Sequence, residues 1–124
     1  MDLNDVEPAN YFDQTIMDFK QGSSRAEQRM PEVMKEYFAF TNSCFKEGTI
    51  NAKHKQLVAL AISISTQDEY CIIYHTKGAA EHGATEKEIM EVIGICAALK
   101  GGAAFSQGIT LAMDSFDFYT QKAH

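Results

Sequence analysis

The stretch Thr66-Gln67-Asp68-Glu69-Tyr70-Cys71-Ile72-Ile73-Tyr74-His75-Thr76-Lys77-Gly78-Ala79-Ala80-Glu81-His82-Gly83 settles the fold class, because it reads as one helix with both ends marked. Thr66-Gln67-Asp68-Glu69 has the T-x-x-E form of a capping box, in which hydroxyl and carboxylate satisfy each other's orphaned backbone N–H groups. Gly83 sits where the chain would leave the helix. A second box, Thr85-Glu86-Lys87-Glu88, opens the next helix at once. That helix carries Ile89, Val92, Ile93, Cys96 and Leu99 on an apolar stripe until Gly101-Gly102 breaks it.

The same periodicity extends outward. Phe105, Ile109, Ala112, Met113 and Phe116 define a last helix. Upstream, Asn51 can cap a helix whose Leu57, Leu60, Ala61 and Ile64 form one stripe, broadened almost all round by Val58 and Ile62, as suits a central position. Pro31 stands well at a first helical position, and Val33, Tyr37, Phe40, Cys44 and Phe45 follow on one side until Gly48, as in an amphipathic core helix. The first helix, around Asn10 to Lys20, places Phe12, Ile16 and Phe19 together and is expected to stop before Gly22-Ser23-Ser24, leaving residues 1–24 as an arm able to reach a neighbouring subunit. Strands find little support, so the expectation is a single all-α domain over residues 1–124, with about six helices.

Composition bounds the function. A chain of 124 residues, 45% hydrophobic, suits one compact core. A formal net charge of -6 without a Lys/Arg block argues against nucleic acid or an anionic membrane as partner, and favours small molecules or proteins. The longest apolar run, Leu57 to Ile64, is too short to span a bilayer, and Met1 leads into Asp2, Asp5 and Glu7 rather than a basic leader, so a cytoplasmic location is expected. Cys44, Cys71 and Cys96 are odd in number and form no CxxC pair, as expected of thiols in a reducing compartment.

Asp68, Cys71 and His75 stand at i, i+3 and i+7, which brings a carboxylate, a thiol and an imidazole to one helix face. A helix N-terminus and an imidazolium would favour the thiolate, and ionised Asp68 or Glu69 would oppose it, so the pattern leaves the sign of the shift open. The bland alternative is a small buried hydrophobe beside a satisfied histidine. A metal site is a third alternative, although one helix face seldom supplies three ligands with tetrahedral geometry. His82 beside Gly83 suits the carbonyl end of its helix, His54 between Lys53 and Lys55 suits solvent, and His124 is terminal. Cys44 and Cys96 fall on apolar stripes and are expected in the core, while Phe116, Phe118 and Tyr119 suit packing or a subunit contact. No phosphate loop, organic-cofactor motif or strong metal motif is visible, so a site without cofactor or metal is expected.

The run Asp68 to His75, continued by Ala79-Ala80, Gly83-Ala84-Thr85, Glu88-Ile89 and Glu91, resembles the signature of the carboxymuconolactone decarboxylase family, which includes the AhpD-like proteins. Lys55-Gln56-Leu57-Val58-Ala59-Leu60-Ala61 is similar to the family's preceding helix and Gly101-Gly102-Ala103 to its glycine break, so that the resemblance covers roughly Pro31 to Phe118. It implies an all-α helical bundle, commonly assembled as trimers or hexamers, with a C-x-x-x-H helix lining a pocket near a subunit boundary. In AhpD-like members a C-x-x-C-x-x-x-H run with an upstream Glu supports thiol–disulfide exchange and peroxide-linked reduction. Cys71 matches the second cysteine and His75 the histidine.

Two departures follow from the same comparison. Asp68 takes the place of the first cysteine, and Gln56 that of the proton-relay Glu. Cys71 therefore has no thiol three positions away, and its oxidised form would rest as a sulfenic acid or seek Cys44, Cys96 or an outside thiol. Gln56 can orient a group or a water but cannot accept its proton. The expectation is a single-cysteine thiol peroxidase with Cys71, His75, Asp68 and Gln56 as its site and a small-molecule substrate or thiol/disulfide reductant as partner. A decarboxylase-like lyase using His75 on a small cyclic acid is the alternative, weakened by the absence of Trp and by arginines only at Arg25 and Arg29. A non-catalytic member with a degraded site is the third.

Overall fold

A computed structural model describes residues 8–121. Met1 to Glu7, on which the leader argument rests, and the terminal His124 lie outside the described residues. The chain is helical in the order α1 (Pro8–Arg29), α2 (Pro31–Phe45), α3 (Ala52–Ser65), α4 (Glu69–Glu81), α5 (Glu86–Lys100) and α6 (Gly102–Gln107), then a π-helical turn (Gly108–Ala112) that runs directly into α7 (Met113–Gln121). The last three segments form one continuous rod, so the described residues make six rods and no strand. None of the helices is long and apolar enough to cross a membrane.

The α3–α4 hairpin is the centre of the fold, and α5 and the π turn close over it. Leu60 and Ile64 of α3, Ile72 of α4, and Ile89 and Ile93 of α5 are sealed from solvent. Phe116 from α7 completes that core. A smaller cluster joins Phe12 and Ile16 of α1 to Ile73 of α4, on the side of α4 facing α7.

Several helix ends differ from expectation. The first helix does not stop before Gly22-Ser23-Ser24 but runs through them to Arg29. The terminator is Pro31: its ring disfavours the helical conformation for the preceding residue, and Met30 leaves it, with φ -144° and ψ 68°. A Gly inside a helix costs only about 1 kcal/mol, which the flanking turns absorb. The cap of α4 is also displaced. Thr66 closes α3, Gln67 takes the left-handed φ of 56°, and Asp68 is the N-cap, its Oδ1 accepting from Cys71 N–H at 3.2 Å. By contrast, the Thr85–Glu88 box is reciprocal, at 3.1 and 3.0 Å, and the Asn51 cap accepts from His54 N–H at 2.8 Å.

The apolar stripes meet the core only in part. On α2 only Met34 is buried, whereas Val33, Tyr37 and Phe40 are 58%, 54% and 66% exposed, so α2 is not the expected core helix within this chain. Cys44 is exposed, while Cys96 is buried as expected, its Sγ 3.4 Å from Ala61 O. Val58 and Ile62 of α3 and Leu99 of α5 also face outward. In the last rod the π turn inserts one residue per turn beyond the α repeat, which rotates Gly108, Ala112 and Ser115 inward and leaves Phe105 and Ile109 exposed. The Phe118 and Tyr119 rings pack on Phe12 of the same chain, with centroids 5.6 and 6.5 Å away, rather than standing free for a neighbour.

Candidate functional site

Cys71 and His75 lie one turn apart on α4, and both line a cavity of about 330 Å³ between α1, α2, α3 and α4. Phe19, Tyr37, Phe38, Phe45, Tyr70 and Tyr74 supply six aromatic rings to its wall. Thr41, Asn42 and Gln56 supply the remaining polar groups. Among the described residues no Lys, Arg, Asp or Glu lines it, and neither Cys44 nor Cys96 does.

The imidazole is held on three sides. Its Nδ1 lies 2.9 Å from Gln56 Oε1, an atom that only accepts, so Nδ1–H donates and Nε2 carries the free lone pair. Phe45 stacks nearly parallel to the ring at 5.5 Å, and Tyr74 meets it edge-on at 5.1 Å. Burial lowers the His75 pKa, and the Asp68 charge opposes that shift only in part, so the neutral ring is the resting form near pH 7. Gln56, nineteen positions upstream on α3, makes the hydrogen bond to this imidazole, and Asp68 reaches it by charge.

Asp68 acts on the thiol. As N-cap it is fixed to Cys71 N–H, and its carboxylate also hydrogen-bonds the Cys71 side chain. Burial first, then that hydrogen bond and the negative charge, push the half-buried thiol up to about 11. The sign that the sequence left open is therefore upward: burial, with the capping carboxylate, outweighs what the helix N-terminus would have given the thiolate.

The sequence alone could not reach the aromatic wall. Phe19 stacks on Tyr70 at 4.2 Å and Tyr70 on Tyr74 at 5.7 Å, joining α1 to α4 along the rim. Lys55 Nζ donates to Cys44 O at 2.8 Å and also to Lys46 O, which satisfies the carbonyl end of α2 and ties it to α3 beside the cavity. His82 Nδ1 pairs with Gly78 O at 2.7 Å at the carbonyl end of α4, and His54 is exposed, so both stand away from the site as expected. No group of three or more metal-ligating side chains occurs among the described residues.

Known proteins show the same architecture. A carboxymuconolactone decarboxylase family protein from Legionella pneumophila, solved in its apo form, superposes with a TM-score of 0.84 over 90% of this chain and 98% of its own, at 23% identity, a likeness that concerns the fold. "Uncharacterized protein 4 in cox locus" of Paracoccus denitrificans is 39% identical over 70 residues, 56% of this chain and 63% of its own length. An uncharacterized protein of Cupriavidus necator is 28% identical over 75 residues, 60% of this chain and 66% of its own, so each match spans under two thirds of the relative. The model of the Carboxymuconolactone decarboxylase family matches residues 31–114, which takes in α2 to α6 and the Cys71–His75 helix. With more than half of its length so matched, the chain belongs to the carboxymuconolactone decarboxylase family.

Proposed function

We propose that the chain is an AhpD-like thiol oxidoreductase that reduces a small hydroperoxide at Cys71, with His75 as the base. The observation that carries this reading is the shared cavity: a thiol and an imidazole with its Nε2 lone pair free, on one wall of a pocket sized for a small molecule. Because the thiol rests protonated, activation must accompany attack rather than precede it. Nε2 takes the thiol proton as Sγ attacks the distal peroxide oxygen. The O–O bond breaks, and the departing alkoxide takes that proton back, giving Cys71 sulfenic acid and an alcohol. An external thiol then condenses with the sulfenic acid and releases water, and a second thiol reduces the mixed disulfide, since no other cysteine lines the cavity.

A lyase reading is favoured by one observation, the thiol pushed up to about 11, which suits Cys71 as a passive wall and His75 as the only proton carrier. Hydroperoxide consumption with a thiol reductant separates the two. The redox reading expects turnover that Cys71→Ser abolishes and His75→Ala cuts by about 10²-fold or more. No consumption by the wild-type chain, or consumption that survives Cys71→Ser, overturns it. The exposed Val33, Tyr37, Phe40, Val58 and Ile62 support a homo-oligomer of the trimer or hexamer kind, and the three unpaired thiols support a cytoplasmic setting.

A further inference from the structure

We infer that the cavity selects an uncharged, ring-bearing molecule, and excludes carboxylates and organic cations alike. This deepens the proposed function and rests on the same pocket. Six aromatic rings form the wall, so most of a ligand's buried area would be ring edge and ring face. No cationic side chain among the described residues lines the cavity, and His75 rests neutral, so a carboxylate entering it would lose its hydration without gaining a partner of opposite charge. No carboxylate lines it either to pair with an organic cation, and Phe19, Tyr70 and Tyr74 are stacked on one another, with Phe45 on His75, which takes up part of the ring face a cation would need. The polar groups left, Gln56, Asn42, Thr41 and His75 Nε2, exchange hydrogen bonds with a neutral hydroxyl or hydroperoxyl group.

Three probes of one shape and different charge test this: p-cresol, p-toluate and p-methylbenzylammonium, titrated calorimetrically into the full chain at pH 7. The expected result is cresol binding at least ten-fold more tightly than either ion, with the Gln56 side-chain amide signal shifting on addition. Equal or tighter binding of either ion, or no cresol binding at millimolar concentration, overturns the inference. Repeating the titration on Cys71→Ser separates it from the redox reading, because binding must persist there while turnover is lost.

A second observation independently assigns a positioning residue. A Cβ on Gly78 would lie 2.5 Å from Gln56 Oε1 and 2.6 Å from its Cδ. Gln56 thus reaches His75 Nδ1 only by crossing α4 through the space that Gly78 leaves empty. We propose that Gly78 is there to pass this strut and so to set the His75 tautomer. The obstructed atoms belong to the far end of a flexible side chain, so Gly78→Ala should leave the backbone intact while displacing the amide.

The test is the ¹⁵N spectrum of the His75 ring above its pKa, alongside thermal melting. Gly78→Ala is expected to melt no lower than wild type, yet to lose the Nδ1–H signature to the same degree as Gln56→Ala. The double variant should go no further than either single one. Gly78→Ala that retains the signature, or that fails to fold, overturns the proposal, the second because the glycine would then serve the backbone. Neither readout depends on any activity.

Discussion

Replacing Gln56 by Glu changes one amide to a carboxylate at the atom that holds the His75 imidazole, and its effect can be worked from the structure. Oε1 stands 2.9 Å from His75 Nδ1. With charge centres about 4 Å apart and an effective dielectric constant near 20, the attraction of carboxylate for imidazolium is about 4 kcal/mol. Removing the carboxylate from water inside the half-open cavity takes back roughly half of that. About 1.5–3 kcal/mol remains, which raises the His75 pKa by about one to two units.

Burial holds the wild-type ring below its ordinary value, so the shift carries His75 from a neutral resting form toward one protonated near neutrality. Gln56→Glu should therefore convert the thiol–imidazole pair from one that must lose its proton during attack to one with an imidazolium beside the sulfur. The assay is an NMR titration of the His75 ring from pH 4 to 9 in both chains. An unchanged or lower His75 pKa in the variant would refute the assignment of Gln56 as the group that holds the ring.

Three further outcomes follow from the same geometry. Alkylation of Cys71 in a Cys44→Ser background should rise with pH toward about 11, and Asp68→Asn should move that midpoint down with little change in stability, because an amide oxygen caps α4 about as well as a carboxylate; a wild-type midpoint near 7 would contradict the role given to Asp68. A Cβ on Gly108 would meet Ile93 Cγ2 at 2.6 Å and Cγ1 at 2.8 Å, so Gly108→Ala should destabilise by about 1–3 kcal/mol in denaturant unfolding, and, because Ile93→Ala removes both obstructing carbons, the double variant should lose less than the sum of the two single losses. The folded His75 pKa lies below its unfolded value of 6.5, so the stability this group contributes is present above that pH and is lost as pH falls through the folded value. Melting temperatures at pH 7.5 and pH 5 should accordingly differ less in His75→Gln than in wild type, and equal differences would remove His75 as the cause.

What was legible in the sequence was what local chemistry dictates. The Thr85–Glu88 box, the Asn51 cap and the stripes Leu57–Leu60–Ile64 and Ile89–Ile93–Cys96 needed only hydrogen-bonding groups at fixed offsets and a period of 3.6. The α4 cap was ambiguous because Thr66 and Asp68 both precede a suitable N–H, and the tight turn at Gln67 decides for Asp68. Periodicity also shows that a helix has an apolar face without showing what covers it, which is why Tyr37 and Phe40 were expected inside and lie outside. The Gln56–His75 bond and the passage over Gly78 join residues on two different helices, and only their packing brings them together.

The two departures from the AhpD-like pattern act in the same electrical direction. At position 56 an amide stands where a carboxylate would hold His75 protonated, and the buried ring rests neutral. At position 68 a carboxylate stands three residues before Cys71, and the thiol is held protonated. Burial is the larger cause at both groups, and the two replacements act with it, so the pair rests as thiol and imidazole instead of thiolate and imidazolium. On the proposed mechanism, attack at such a pair waits for a substrate that can bring the proton transfer and the bond-making step into one geometry. An uncharged ligand seated against the aromatic wall meets that condition, whereas a charged one would disturb the neutral balance that the two replacements create.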